Sequence, residues 1–400
     1  MAIQTTLTNS VRTRYSAIYL EAADMVRLYD QYAAAIEKVG VERAARVGTT
    51  IQVEFLSDML PGTTAISSTA DINPQILRDA KTTISPTSRG EALEWAEALE
   101  VNIFTNYGAE RFRILGKNQM ESVEVLARDV MNQGNLVFRP AARASLDAGT
   151  STHRLTDSLM VRALNRLITM KCPAYLANGK SQFFGTMPPD AYTDLLAGGN
   201  IVSALIYQDK ESLLSQELGS YNNCKITVSP WAKTFYAAGA ANASAVATTL
   251  NGAASQLATS IIVASATNVA AGQRLMIGTI ETASTHQVDN EVVYVSDSYS
   301  SGTTVAIVGE GANGGLRFDH ASGATVSNAD NVYPVTFGGP MSIAKAYDPE
   351  MDSEFGTVVG PLKTGRLEQF AHVGWKFYGG YGRWVESWLL RGEFSSSVDA

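Results

Sequence analysis

The stretch TGRLEQFAHVGWKFYGGYGRWVESWLLRGEF (364–394) holds three of the five tryptophans in the chain. In its first half apolar and polar residues alternate, and the apolar set is Val373, Trp375 and Phe377. Because strand side chains point alternately to opposite faces, this pattern predicts a strand with one face on a core. The glycines within 379–382 predict a turn. A second strand then follows with four large apolar side chains on one face: Trp384, Trp388, Leu390 and Phe394.

This predicted ribbon needs cover, because large aromatic side chains bury much apolar surface. The other face of its second strand would carry Val385, Leu389 and Arg391. A strand pair near the end of the sequence implies that earlier segments leave the core and return to it. We therefore expect the rest of the chain to be organised around residues 364–394.

Composition indicates a large globular protein with few charges. The chain has 400 residues, 45% hydrophobic and 18% charged, with a net charge of -8 and a pI of about 5.2. This length predicts more than one domain. The acidic balance argues against a protein whose main task is to coat nucleic acid. It does not exclude a shell protein whose inner wall faces nucleic acid.

Cellular location is constrained by the cysteines and by the first residues. Two cysteines, Cys172 and Cys224, indicate a reducing compartment without a disulfide framework, and their direct pairing has no support in the sequence. MAIQTTLTNS (1–10) lacks the features of a signal peptide. No apolar run approaches the roughly 20 residues of a membrane helix. We expect a protein that stays in the cytoplasm or leaves it inside a particle.

Helical periodicity recurs in three long segments. An amphipathic helix is predicted over 16–39, after a polar arm, and Gly40 would end it. Asn118 and Glu121 have the spacing of a capping box and predict a helix from 118 to about 133. A third long helix is predicted over 155–170. Shorter helices are predicted after Asn73, where Pro74 would take the first position, and over 190–196 and 209–218.

Alternation also predicts a projecting hairpin over 48–95. Residues 49–55 alternate cleanly, and a polar strand over about 82–95 could return against them. The segment 90–99, GEALEWAEAL, also fits a helical period, so this alternative stays open. Such a hairpin buries little within one chain but could lie on a neighbouring subunit. A further buried strand is predicted over 224–228.

The composition changes between Tyr236 and Tyr333. This segment contains no Lys, Trp or Cys, and its two arginines and seven acidic residues give a net charge of -5. Glycine-rich turns separate short strands that are predicted at 260–263, 274–277, 291–295 and 303–308. We interpret it as a small all-β module inserted at a loop, with its two ends close together.

The polar residues indicate no catalytic, cofactor-binding or metal site. The histidines, at 153, 286, 320 and 372, lack metal-ligand spacing, and His372 is interpreted as structural. Asp319 and His320 could be half of a catalytic triad, but a turn in the module is favoured. For the acidic run 348–354, a solvated loop is favoured as the interpretation and a calcium site is disfavoured. The glycine runs 311–315 and 338–340 indicate turns, and five arginines between 12 and 46 indicate a solvated face more than a nucleic-acid contact.

Three segments carry a family resemblance: GWKFYGGYGRWVESWLLRGEF (374–394), MPPDAYTDLLAGGNIVSALIYQ with its continuation to Pro230 (187–230), and SAIYLEAADMVRLYDQYA (16–33). Together they resemble the major capsid proteins of tailed bacteriophages, and more narrowly the coat-protein family of podoviruses. The resemblance implies an α+β, HK97-like capsid fold. It also implies a non-enzymatic subunit that self-assembles into hexamers and pentamers of an icosahedral head around double-stranded DNA.

The resemblance implies a role for each segment. These are an N-terminal arm and helix (1–47), an extended loop (48–95), a peripheral domain with the spine helix and the last strands (96–149 and 360–400), an axial domain (150–235 and 336–359), and a β-rich insertion domain (236–335). The insertion departs from the minimal family pattern, and we interpret it as an outward-facing stabilising module.

The implied location is the virion, after assembly in the host cytoplasm. The implied partners are other copies of the chain, possible portal, scaffolding and decoration proteins, and weak non-specific contact with packaged DNA, without a membrane. Two alternatives stay open. The Ser/Thr/Gly-rich module would also suit a β-rich tail or surface adhesin, although the predicted helices argue against it. The second alternative is an enzyme whose site the sequence does not reveal.

Overall fold

A computed structural model describes the protein over residues 29–37, 50–56, 59–63, 74–96, 107–177, 180–198, 217–221, 223–241, 245–280, 289–347, 357–364 and 370–399. The α-helices of these ranges are α1 (Tyr107–Asn132), α2 (Asp157–Thr169) and α3 (Pro189–Ala197). The strands are β1 (Ala34–Glu37), β2 (Ile51–Leu56), β3 (Asp79–Ile84), β4 (Thr87–Ala96), β5 (Val137–Phe138), β6 (Tyr175–Ala177), β7 (Lys180–Met187), β8 (Glu217–Tyr221), β9 (Cys224–Val228), β10 (Ala247–Thr249), β11 (Ser260–Ile262), β12 (Arg274–Gly278), β13 (Glu291–Val295), β14 (Thr304–Val308), β15 (Thr325–Ser327), β16 (Tyr333–Gly338), β17 (Ile343–Tyr347), β18 (Thr357–Thr364), β19 (Phe370–Arg383) and β20 (Leu389–Phe394).

The chain divides into two compact units. The first comprises Met1–Ala127 and Met341–Val385, and the second comprises Arg128–Pro340 and Glu386–Ala400. The α+β class predicted from the sequence is confirmed. The stretch 364–394 is divided between the units, because β19 belongs to the first and β20 to the second.

The first unit is built on a five-stranded sheet around β19. The order is β1-β17-β19-β18, and β4 pairs antiparallel with β19 from Thr87 opposite Gly379 to Ala96 opposite Phe370. Val373, Trp375 and Phe377 are buried, as the alternation predicts, and pack with Phe112 and Leu115 of α1.

The glycine turn predicted at 379–382 is wrong. Gly379, Gly380 and Gly382 lie inside β19, opposite residues of β17. A methyl group on Gly380 would lie 2.9 Å from the Ser85 carbonyl oxygen, and one on Gly382 2.6 Å from the Ile84 side chain. These glycines therefore permit close packing on Ile84, which ends β3, and on Ser85, which follows it. Local sequence cannot distinguish this use of glycine from a turn.

The shared face predicted for the second half of the ribbon is also wrong. A short 3₁₀ turn, Glu386–Trp388, follows β19, and β20 belongs to a different sheet. Trp384 packs with Ile51, Val53 and Ile84 in the first unit, whereas Trp388 packs on the core of the second. Leu390 and Phe394 are buried as predicted, but every residue of β20 is buried, including those assigned to the opposite face.

Helix α1 begins at Tyr107, eleven residues before the predicted capping box. Asn118 is therefore in the helix interior, where its Oδ1 accepts a hydrogen bond of 2.9 Å from Nε1 of Trp375. Buried residues at helical spacing extend back through Leu115 to Phe112 and continue through Met120 and Val123. The predicted end before Gly134 is confirmed.

Strands β2 and β3 form the predicted antiparallel hairpin, with Ile51 opposite Ile84. The return strand predicted over 82–95 is two strands, since the ladder breaks at Ser85–Pro86 and β4 joins β19. The helical alternative for 90–99 is wrong over residues 90–96, which lie in β4.

The helix predicted over 16–39 is wrong in its described part. Residues 30–32 form one 3₁₀ turn, and β1 then runs parallel to β17. The helix predicted from Pro74 is absent over 74–78, which lie directly before β3. Residues 16–28 and most of the helix predicted at 209–218 lie outside the described residues, but β8 begins at Glu217.

The second unit is built on a seven-stranded sheet. Its order is β5-β20-β16-β7-β9-β8, and β6 pairs with β7. Helices α2 and α3, both predicted, cover its core with Leu159, Leu164, Leu167 and Leu195. The Thr156 side chain caps α2 by accepting a hydrogen bond from the backbone of Leu159. The strand predicted at 224–228 is confirmed as β9.

The inserted module is a closed β-barrel. Its strands pair in the order β10-β15-β12-β13-β14-β11. A bridge between Leu250 and Val263 joins the first and last strands, and backbone hydrogen bonds of 2.8 Å flank it on both sides. All four predicted strands are present. The interior is a separate apolar core that includes Ile261, Leu275, Ile277, Val293, Val305, Ile307 and Val326.

Candidate assembly elements

Large apolar side chains are exposed among the described residues that follow the end of β2 and precede β3. Their exposed fractions reach 77% for Leu60 and 88% for Ile76, and Leu56, Met59 and Leu77 are exposed as well. The Gln75 side chain holds the two sides of the tip together, since it accepts from Leu60 N–H at 2.8 Å and donates to Leu60 C=O at 3.0 Å. Exposed apolar patches of this kind mark interaction surfaces. We name these five side chains the hairpin tip.

The base of the hairpin is anchored in the first unit. Ile51, Val53 and Ile84 are buried and pack with Ala344 and Ala346 of β17. The hydroxyl of Thr82 donates to the carbonyl oxygen of Trp384 at 3.2 Å. The arm is therefore fixed at one end, while its other end presents apolar surface to solvent.

A buried ion pair fixes the segment that precedes β1. Nζ of Lys345 lies 3.0 Å from Oδ1 of Asp30, and both side chains are buried. The same oxygen accepts a hydrogen bond of 2.6 Å from the Tyr381 hydroxyl. Buried Glu124 accepts the backbone N–H groups of Tyr29 and Asp30 at 2.8 and 3.4 Å. This network places residues 29–37 beside β17 and overrides their helical pattern.

The barrel connects to the seven-stranded sheet through a two-stranded neck. Phe235 and Val332 exchange two backbone hydrogen bonds of 2.9 and 3.0 Å, and Gly239 and Asp330 extend the pairing. The prediction that the two ends of the insertion lie close together is confirmed. Flanking strands β9 and β16 lie in one sheet, separated by β7.

Beside the neck, one buried carboxylate accepts hydrogen bonds from three arginines. Glu393 of β20 is fully buried and accepts from Nε of Arg139 at 2.6 Å, from Nε of Arg143 at 2.9 Å and from Nε of Arg391 at 2.8 Å. Arg143 also pairs with Oε1 of Glu393 and lies over the Phe235 ring, 4.3 Å from its centroid. The guanidinium of Arg391 donates to the carbonyl oxygen of Asn132, at the end of α1.

The protonation of Glu393 follows from these contacts. Burial alone would raise the pKa of the carboxyl, but the hydrogen bonds from Arg143 and Arg139 and the charge of Arg391 outweigh it and lower the pKa to about 2. Burial also lowers the pKa of Arg391 while Glu393 opposes that shift. The carboxylate therefore stays charged at neutral pH and joins β5, the 143–145 turn and β20.

The histidines have structural contacts where they are described. Nε2 of His320 lies 2.7 Å from Oε1 of Glu291, inside the barrel, whereas Asp319 is exposed and accepts from Gln256 N–H. Asp319 and His320 thus do not act together. His320 forms an antiparallel bridge with Ala254, so the turn interpretation is wrong at this residue. His153 accepts from Asp147 N–H at 3.1 Å. His372 lines an open groove of about 270 Å³ on the paired strands β4 and β19.

Hydrogen bonds also decide the protonation of Glu291. Burial favours a higher pKa, but the bonds from His320 and from the backbone N–H groups of Arg317 and Phe318 hold the pKa of Glu291 below its usual value. A charged, fully bonded carboxylate fixes the loop before His320 to β13. Sequence spacing could not reveal this pair, because its partners are 29 residues apart.

The remaining candidate sites are described in part. Within the described ranges, no group of three or more acidic, histidine or cysteine side chains could hold a metal ion. Cys172 and Cys224 are both free and buried, and burial raises the pKa of Cys172 to about 12. The run 311–315 contains a turn at Asn313 and Gly314, as predicted. His286, the acidic run 348–354 and the basic residues 12–46 lie outside the described residues, and no described helix could span a membrane.

No protein-family model matches the sequence. No curated protein matches it significantly either. Similarity is found among solved structures. The capsid of Ralstonia phage GP4 aligns with 91% of this chain and 87% of its own at a TM-score of 0.53 and 9% identity. The fold resembles that of phage capsid chains.

A second solved structure extends the similarity. The capsid of the Cyanophage P-SCSP1u aligns with 92% of this chain and 88% of its own, at a TM-score of 0.50 and 9% identity. At such low identity the similarity concerns the fold. The HK97-like capsid fold predicted from the sequence resemblance is confirmed in this sense.

Proposed function

We propose that this chain is the structural subunit of a phage-type head, which self-assembles into hexamers and pentamers of an icosahedral shell around double-stranded DNA. The observation that carries the proposal is the fold shared with the GP4 capsid chain over 91% of the sequence. The subunit acts by binding other copies of itself, and no catalytic step is assigned to it.

The hairpin tip supports assembly through a neighbouring subunit. Leu60 and Ile76 are among the most exposed large apolar side chains described in the chain. Leaving such side chains in water is unfavourable by roughly 1.5–3 kcal/mol each relative to full burial. A second copy that covers the hairpin tip would recover this free energy.

We propose the division of roles implied by the resemblance for the five segments. The segment 1–47 is the arm, 48–95 the extended loop, 96–149 with 360–400 the peripheral domain, 150–235 with 336–359 the axial domain, and 236–335 the insertion. The long α1 suits the spine of the peripheral domain, and α2 and α3 with strands β7 and β9 suit the axial domain.

The partners follow from the same proposal. Portal, scaffolding and decoration proteins would bind the shell, and contact with DNA would be weak because the chain carries a net charge of -8. Assembly would take place in the host cytoplasm and the product would be the virion. The adhesin alternative is less well supported, because the barrel strands occupy only residues 247–327.

The experiment is a double substitution at the tip, Leu60→Ser with Ile76→Ser. Because both side chains are exposed, the isolated subunit should keep its thermal midpoint within about 1 °C, as surface changes are close to neutral. We expect particle formation, followed by light scattering and electron microscopy, to fall at least tenfold. Leu257→Ser is the matched control, because Leu257 is 53% exposed on the barrel. Normal particles from the double variant would contradict a role for the tip in assembly.

A further inference from the structure

The segment Ser395–Asp399 connects three separate parts of the second unit. Ser395 donates its N–H to the His153 carbonyl oxygen at 3.1 Å and its hydroxyl to the Asp147 carbonyl oxygen at 3.0 Å. The Ser396 hydroxyl donates to the Asp190 carbonyl oxygen, in the first turn of α3, at 3.2 Å. Ser395 and Ser396 are both fully buried, so these bonds are shielded from water.

Asp399 completes the connection by reaching the barrel and its neck. Its fully buried carboxylate forms an ion pair with Arg274, at the start of β12. Oδ1 accepts a hydrogen bond of 2.9 Å from the Tyr333 hydroxyl, and Oδ2 accepts one of 3.0 Å from the Asn331 backbone N–H. One carboxylate thus holds a barrel strand, a neck residue and the first residue of β16 together.

The arrangement resembles a strap across a hinge. The neck is two strands wide, and four backbone hydrogen bonds between 235–240 and 330–332 hold it together. Leu146 and Ala148 add one hydrogen bond each to the neck, and Leu146 packs with Phe235 and Val332. Short two-stranded connections are marginally stable on their own. The barrel has its own apolar core, so it can remain folded while its orientation changes. The contacts of Asp399 oppose that change, because they join the barrel to α3 and the sheet through 395–399.

We propose that residues 395–399 form a strap that fixes the orientation of the barrel on the seven-stranded sheet, and that neutralising Asp399 releases the barrel to move about its neck. The release has a physical cause. Without the carboxylate, half-buried Arg274 loses its ion pair and keeps only the electrostatic attraction of Asp190 and Asp330, so its charge is stabilised less well and exposure to water becomes more favourable. Movement of the barrel away from the strap provides that water. The proposal concerns the isolated subunit and does not depend on shell assembly.

Hydrogen exchange of the unassembled subunit tests the strap, with Asp399→Asn compared to wild type. Backbone amides exchange through local opening, so the neck amides of Gly239, Asp330 and Val332 report release. We expect their exchange rates to rise about tenfold or more, as for loss of a hydrogen bond to a charged group. Amides of β12 and β13, inside the barrel, should change less than twofold. Asp297→Asn is the matched control, because Asp297 is an exposed aspartate of the same barrel.

Two further variants distinguish the strap from a general loss of folding. Tyr333→Phe removes the hydroxyl that donates to Asp399 and accepts from Asn331, but it keeps the ion pair, so its neck amides should exchange at intermediate rates. Adding Arg274→Met to Asp399→Asn removes the unpaired cation and should slow neck exchange relative to Asp399→Asn alone. Wild-type neck exchange in Asp399→Asn would overturn the proposal. A parallel rise in barrel and neck amides would also overturn it, because Asp399 would then stabilise the barrel fold itself.

Discussion

Glu393→Gln should cost the isolated subunit about 3–5 kcal/mol of unfolding free energy. Lowering the pKa of a carboxyl from 4.5 to about 2 corresponds to roughly 3 kcal/mol at neutral pH. Removing one partner from a buried ion pair costs about 3–5 kcal/mol by mutational experience. Both values describe the same physical change, because the neutral amide in this variant would leave Arg391 buried without a counter-charge.

The assay is equilibrium urea denaturation followed by tryptophan fluorescence at several pH values. The folded-state pKa of Glu393 lies below its ordinary value of 4.5. Its stabilisation is therefore fully present above pH 4.5 and is lost as the pH falls toward about 2. The difference between wild type and Glu393→Gln should be constant from pH 7 to 5 and shrink below pH 4.5.

The control is Glu310→Gln, since Glu310 is 70% exposed and lies 3.8 Å from an exposed arginine. An exposed pair of this kind contributes about 0–1 kcal/mol, so the control should unfold at nearly the wild-type urea concentration. The reasoning about the arginine cluster would be refuted if Glu393→Gln lost less than 1 kcal/mol, or if its deficit did not depend on pH.

Three further predictions concern packing and the module. Trp388→Ala should lower the unfolding free energy by about 2 kcal/mol, less than a fully buried tryptophan, because Trp388 is only partly buried on the core; an unchanged urea midpoint would contradict this. Gly339→Ala should cost about 1–3 kcal/mol by thermal melting, because its methyl group would overlap the Pro173 carbonyl oxygen, whereas Gly62→Ala meets open space and should be neutral. Replacing 238–331 with a short Gly/Ser linker should leave the circular dichroism of the remaining fold intact, since the neck already joins Phe235 to Val332; aggregation of this deletion would mean that the barrel belongs to the core.

Local patterns were sufficient for the barrel and the hairpin. Strands such as β13 and β2 alternate, end at turn residues and pair with strands of the same module or hairpin. Their structure therefore depends on short-range information, which a sequence displays directly.

Long-range contacts explain the elements that were predicted wrongly. Residues 34–37 fit a helical period, but Asp30 pairs with Lys345, 315 positions away, and this places them beside β17. The glycines of β19 serve close packing on the end of β3 and the residue after it, which a single segment cannot show. Glu393 and Asp399 gave no sequence signal, because Arg139 and Arg143 lie at least 250 residues from Glu393, and Arg274 lies 125 residues from Asp399.

Electron microscopy of the purified, assembled protein tests the proposed function most directly. Subunits concentrated at neutral pH, or recovered from cells that express the chain, should appear in negative stain as closed shells or tubes built of hexamers and pentamers. Sedimentation of the same sample should show a large particle that is lost in the Leu60→Ser/Ile76→Ser variant. A single monomer peak across protein and salt concentrations, with no particles in any field, would contradict the proposal that this chain is a shell subunit.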